Sequence, residues 1–162
     1  MKILFICTGN ICRSPAAVAI LKRLVFQKNL HGNIIVDSAG TFGMYRPTPP
    51  EKEMVEAAKV LGYELTGLSK KVTVSDLNSS DLIICMDESN FVDIKRMISK
   101  EQVSKVHQFI EYIEDENLKN IPDPYCGKKS EYESACKLIE KGCQNMLNLL
   151  YENISNNSKR ER

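Results

Sequence analysis

Positions 7 to 15 read Cys-Thr-Gly-Asn-Ile-Cys-Arg-Ser-Pro, a thiol and a guanidinium with five residues between them. That many residues suffice to curl a backbone around a tetrahedral oxyanion with its N–H groups turned inward. Gly9 and Asn10 suit such a nest because both tolerate positive φ. Arg13 can then fork two oxygens of the bound group. The same donors favour the thiolate of Cys7, which is the nucleophilic form, and Ser14 can give it a further hydrogen bond. A thiolate facing an arginine-held phosphate can displace an alcohol and form a cysteinyl-phosphate. Thr8, Gly9, Asn10, Ile11, Cys12 and Ser14 are the expected phosphate-binding shell around Cys7 and Arg13.

An alcohol or phenol leaves badly as an anion, so a proton donor is required. Asp123 is the candidate, because Pro122 and Pro124 restrict the backbone on both sides of it and help to aim its carboxyl group. Tyr125 follows closely enough to form part of a pocket wall. Taken singly, these residues have plainer readings. A cysteine at the end of a buried strand is commonly a small packing residue, and Asp-Pro is an ordinary turn dipeptide. The spacing of Cys7 to Arg13, with Gly-Asn between them and Ser-Pro after them, favours the chemical reading. Cys7 and Cys12 do not suggest a metal, since there are two histidines, His31 and His107, and no second cysteine pair has ligand spacing. No metal and no cofactor are expected.

The flanking elements must place this loop. Lys2 to Ile6 read as a buried strand, and Ser14-Pro15 as a helix start, with Ser as the cap and Pro at the first helical position. The loop would then lie at the carboxyl end of a strand and the amino end of a helix, where an anion is welcome. Helical spacing follows over Ala16 to Gln27, and a second short strand over Ile34 to Val36 runs into Asp37-Ser38-Ala39-Gly40. Pro47, Pro49 and Pro50 mark a loop before a helix over Glu51 to Leu61. Leu82 to Met86 read as a third strand, followed by a helix from about Asp87 to Ile98. Val103 to Phe109 read as a weaker fourth strand, and Ser130 to Leu150 as a long amphipathic helix. Continuous apolar strands separated by helices predict a single-domain three-layer α/β fold, its central four-stranded parallel sheet flanked by helices. Ligands bind outside the carboxyl ends of such strands, where Cys7, Ser38 and Asp87 all fall. One domain over 1–152 is expected, with a polar, frayed tail over 153–162.

The net charge of +1 argues against nucleic acid or an anionic membrane as the main partner. No apolar run approaches the ~20 residues needed to cross a bilayer, so no membrane insertion is expected. A cytoplasmic location with free thiols is expected for the six cysteines.

With CTGNICRSP at 7–15, DSAGT at 37–41, CMDESN at 85–90 and DPY at 123–125, the chain resembles the low-molecular-weight protein tyrosine phosphatases over nearly its whole length. The resemblance implies metal-free hydrolysis of phosphotyrosine in protein substrates, with inorganic phosphate as product. It implies Cys7 as nucleophile, Arg13 as oxyanion clamp, and Asp123 as general acid and then as base for the water that releases phosphate. Asn10, Ser14 and Ser38 match a network that shapes the loop, and Asp87 matches a supporting position. Cys12 matches the neighbour that forms a reversible disulfide with Cys7, which would make the enzyme redox-sensitive. A monomer or weak dimer is expected. Three positions depart from the family pattern: Met44 and Tyr45 fall where an aromatic pocket wall is common, Cys126 where a second aromatic follows Asp-Pro-Tyr, and Gly67 where a histidine joins the loop network.

Three other functions compete. Thioredoxin-coupled arsenate reductases have a similar loop, and Cys85 sits at their second redox cysteine, but Val92 stands where their third would follow. Arginine-phosphate phosphatases share the loop but tend to have a small polar residue where Ile11 stands; a bulky Ile11 narrows the pocket and favours flat phenyl phosphate. A phosphate-binding module without turnover is disfavoured because nucleophile, clamp and acid are all present.

Overall fold

The structure, a computed structural model, describes residues 1–160, with side-chain surroundings described through residue 152. Four parallel strands form one sheet in the order β2-β1-β3-β4, where β1 is Lys2–Cys7, β2 Ile35–Gly40, β3 Leu82–Cys85 and β4 Val106–Gln108. Helices α1 (Arg13–Gln27), α2 (Lys52–Val60), α3 (Val74–Asn78), α4 (Glu88–Met97) and α5 (Lys129–Arg160) cover it.

The continuous apolar run of β1 is explained by burial on both faces. Ile3, Phe5 and Cys7 join a cluster with α1, α2 and α5, while Leu4 and Ile6 join a second one with Leu77 of α3 and Ile94 of α4. The first connection leads to β2 on one side of β1, and the later strands lie on the other. The sheet therefore reverses direction at β1, and a crevice opens at the carboxyl ends of β1 and β3. The loop after Cys7 stands at that point.

Several boundaries differ from the sequence expectation. Helix α1 begins at Arg13, and neither Ser14 nor any other side chain caps it. Pro15 is still tolerated because first-turn N–H groups have no intrahelical partner. Strand β2 continues through Asp37-Ser38-Ala39-Gly40, since that stretch pairs with Leu4 to Cys7 of β1. Residues Lys100–Lys105 form a 3-10 turn, which shortens β4 to three residues. Helix α3 was not foreseen; its signal is Thr73-x-x-Asp76, a capping box in which Thr73 and Asp76 satisfy each other's backbone N–H groups. Helix α5 is Lys129–Arg160, longer than the Ser130 to Leu150 expected; residues 161–162 lie outside the described residues. Among the described residues no helix is long and apolar enough to cross a membrane.

Candidate active site

The loop between β1 and α1 is shaped from outside. The carbonyl of Cys7 accepts from Thr41 N–H, that of Thr8 from Phe42 N–H, and that of Ile11 from Glu51 N–H, at 2.9, 2.9 and 2.8 Å; that of Cys12 accepts within α1 from Ala16 N–H at 3.2 Å. In a trans peptide the N–H points opposite the carbonyl, so the N–H groups of Thr8, Gly9, Cys12 and Arg13 are turned to the inner side. Together with the N-terminus of α1 they make a concave donor surface suited to an anion.

Asn10 provides the bend, in the left-handed region at φ 56°. Gly9, expected to share that role, has no positive φ, and a Cβ on it would meet Ile11 Cγ1 and Met44 Sδ at 3.5 and 3.8 Å, ordinary van der Waals contact. Asn10 Nδ2 donates to Ser14 Oγ and Ser38 Oγ, both at 2.9 Å, and its Oδ1 accepts from Lys70 N–H at 3.0 Å. Because Ser14 Oγ already accepts from Asn10, its own hydrogen is free to point at Cys7 Sγ, 2.9 Å away. Asn10 N–H also donates to that sulfur at 3.3 Å. Cys7 is buried, with Ser14 Oγ and Asn10 N–H both within hydrogen-bond distance of its sulfur. The network needs no histidine at Gly67: that residue turns at φ 95° beside a cavity behind the loop, and Lys70 N–H takes the Asn10 oxygen instead.

Arg13 is 1 % exposed and fully employed at both amino groups. Nη1 donates to Asp87 Oδ2 at 2.7 Å and to the Ile121 carbonyl at 3.1 Å. Nη2 donates to Asp123 Oδ2 at 2.8 Å and to Thr8 Oγ1 at 3.4 Å. Asp87 caps α4 by accepting from Asn90 N–H, so one carboxylate both starts the helix and holds the guanidinium. Asp123 is the looser partner, its side chain 44 % exposed against 20 % for Asp87. An oxyanion reaching for Nη2 therefore competes with Asp123.

A pocket of about 300 Å³ opens above the loop, with Cys7, Arg13 and Asp123 on its lining. Thr8, Gly9, Ile11 and Cys12 contribute the loop side, and Phe42, Met44 and Tyr125 the walls. Of the two wall candidates in the 44–45 segment, Met44 lines the pocket and Tyr45 projects fully into solvent. Phe42 was missed; it is carried there by the same backbone bond that holds the Thr8 carbonyl. Gly40 was also missed as a requirement: a Cβ on it would sit 2.5 Å from the Thr8 carbonyl oxygen. Gly40→Ala is expected to push the loop out of register, costing about 1–3 kcal/mol of stability. Urea unfolding would read that loss, and phosphate affinity should fall with it; an alanine variant as stable and as avid as the parent would contradict this account.

Burial raises the Cys12 thiol, helped by Asp123, Cys7 and Glu51 against the opposing effect of Arg13. Burial likewise raises Cys85, helped by Asp87. Cys85 packs in the cluster of Leu4 and Ile6, on the opposite face of the sheet from Cys7. Among the described residues no group of three His, Cys, Asp or Glu side chains is placed to hold a metal ion.

The model of the family described as low molecular weight phosphotyrosine protein phosphatase matches residues 2–159. The chain belongs to this family. The low molecular weight protein-tyrosine-phosphatase YfkJ of Bacillus subtilis is 37% identical over 148 residues, covering 91% of this chain and 94% of its own. The crystal structure of a protein tyrosine phosphatase from Entamoeba histolytica, with Hepes in its active site, superposes with a TM-score of 0.89 at 31% identity, covering 94% of this chain and 98% of that one. A cysteine-to-serine mutant of the YwlE arginine phosphatase, with its active-site serine phosphorylated, is also similar, at TM-score 0.83 and 27% identity over 93% of this chain and 96% of that one. As a member of the low molecular weight phosphotyrosine protein phosphatases, this protein is a hydrolase of the protein-tyrosine-phosphatase class.

Proposed function

We propose that this phosphatase hydrolyses phosphotyrosine in proteins, and small aryl phosphates, through a cysteinyl-phosphate intermediate and without a metal. The observation that carries this reading is the meeting of Cys7, Arg13 and Asp123 on one pocket, with Asp123 bonded to Arg13 at 2.8 Å. The phosphoryl group enters the ring of loop N–H groups and takes Arg13 Nη2 from Asp123. Asp123, released from Arg13, takes up a proton from solvent; Cys7 Sγ attacks phosphorus, the bond to the phenolic oxygen breaks, and Asp123 delivers that proton to the oxygen. In the second step Asp123 takes a proton from water, whose oxygen attacks phosphorus. Inorganic phosphate leaves and the Cys7 sulfur regains its electron pair. The phosphorylated serine in the neighbouring arginine phosphatase supports a covalent route on this scaffold.

Ile11 on the pocket lining, with Phe42, Met44 and Tyr125 as walls, supports a flat aromatic leaving group rather than a guanidinium. The similarity to an arginine phosphatase makes phosphoarginine the second reading. Comparison of kcat/KM for phosphotyrosine, phosphoserine and phosphoarginine peptides separates the two, with arsenate reduction run alongside. Phosphotyrosine should be preferred, and turnover should survive EDTA. Preference for phosphoarginine, or strict metal dependence, would overturn the assignment. Cys12, buried in the same loop, is the partner we assign to Cys7 should its thiolate be oxidised to a sulfenic acid: the two would condense to a disulfide with release of water.

A further inference from the structure

Asn90, in the first turn of α4, is 1 % exposed, and a buried amide must satisfy both its donors and its acceptor. With Nδ2 turned toward Asp87, it donates to both carboxylate oxygens at 3.2 Å, and its Oδ1 accepts from Thr8 Oγ1 at 3.2 Å. The reverse orientation would set the amide oxygen against the carboxylate. Thr8 thus gives its hydroxyl hydrogen to Asn90, which leaves an oxygen lone pair for Arg13 Nη2 at 3.4 Å. A ring closes: Arg13 Nη1 donates to Asp87, Asn90 donates to Asp87, Thr8 donates to Asn90, and Arg13 Nη2 donates to Thr8. Both amino groups of the guanidinium are tied into it.

The ring matters most when the pocket is filled. In the resting site Asp123 is the nearer partner of Nη2, at 2.8 Å. Once an oxyanion displaces Asp123, Thr8 is the protein group that still holds this amino group, while Asp87 and the Ile121 carbonyl hold the other. We propose that Thr8 is a positioning residue for the oxyanion clamp: its hydroxyl, braced by Asn90 and Asp87, keeps the Arg13 guanidinium plane aligned with the bound phosphoryl group. This rests on the phosphatase reading only in that the ligand is a phosphate.

Thr8→Val keeps the side-chain shape and removes the hydroxyl. The Kd for inorganic phosphate, measured by calorimetry, should rise roughly tenfold, the scale of one hydrogen bond to a charged group. KM for p-nitrophenyl phosphate should rise in parallel. Thr8→Ser should regain most of the affinity that Thr8→Val loses. Adding Thr8→Val to Asn90→Ala should cost little beyond Asn90→Ala alone, because both act through one path. If Thr8→Val does not fold, Thr8→Ala against Thr8→Ser makes the same comparison. Phosphate bound by the valine variant as tightly as by the parent, equal losses for Ser and Val, or fully additive losses with Asn90→Ala would each overturn the proposal. Phosphate binding is read without turnover, so a wrong assignment of the natural substrate would show in the peptide comparison and leave this result unaffected.

Discussion

Cys7→Ser is expected to lower kcat for p-nitrophenyl phosphate by at least about 10⁴-fold while phosphate still binds, as is common when a covalent nucleophile is removed. A hydroxyl needs a general base to attack at neutral pH, and the groups in contact with the Cys7 sulfur supply none. Its neighbours there are the Ser14 hydroxyl, which is no base at neutral pH, and the Asn10 N–H, which can only donate. The donor ring, by contrast, is held from outside by Thr41, Phe42 and Glu51, none of which contacts the sulfur through those bonds. Steady-state kinetics with calorimetric phosphate titration would check both halves. Turnover within a hundredfold of the parent would mean that another group attacks phosphorus.

Asp123→Asn is expected to slow phenyl phosphate by about 10²–10⁴-fold, the usual range for loss of a general acid. The slowing should be much smaller for p-nitrophenyl phosphate, whose leaving oxygen needs less help from a proton. The same substitution has a second expected sign. Asp123 competes with the incoming oxyanion for Arg13 Nη2, and a neutral amide competes less well than a carboxylate. Phosphate should therefore bind at least as tightly to the Asn variant as to the parent. A series of aryl phosphates graded by leaving-group acidity measures the first effect, and product inhibition by phosphate measures the second. Equal slowing across the series would remove Asp123 from the acid role, and weaker phosphate binding would show that its contact with Arg13 supports the clamp instead.

The arrangement was legible where it depends on residue type and close spacing. Cys7, Arg13 and the alternation of buried strands and helices are all local patterns, and a strand buried on both faces cannot hide its apolar run. The spacing could not show how the roles are divided. Ser14 was read both as a helix cap and as a partner of the Cys7 sulfur, and only the second contact is made; Gly9 and Asn10 were both read as suited to the bend, and Asn10 alone carries it in the left-handed region. Phe42, Gly40 and Asn90 escaped notice because their parts depend on where a neighbouring strand or helix ends relative to the loop.

By itself, then, the sequence determined the Cys7-to-Arg13 spacing of the loop and the parallel sheet that presents it. Those follow from short-range spacing and from the apolar content of each strand. Only the tertiary structure decided the state of the clamp, since Arg13 is 108 residues from Ile121, 110 from Asp123 and 74 from Asp87. A guanidinium so buried needs partners for its amino groups, and only the folded chain could name Asp87, Ile121, Asp123 and Thr8 as those partners.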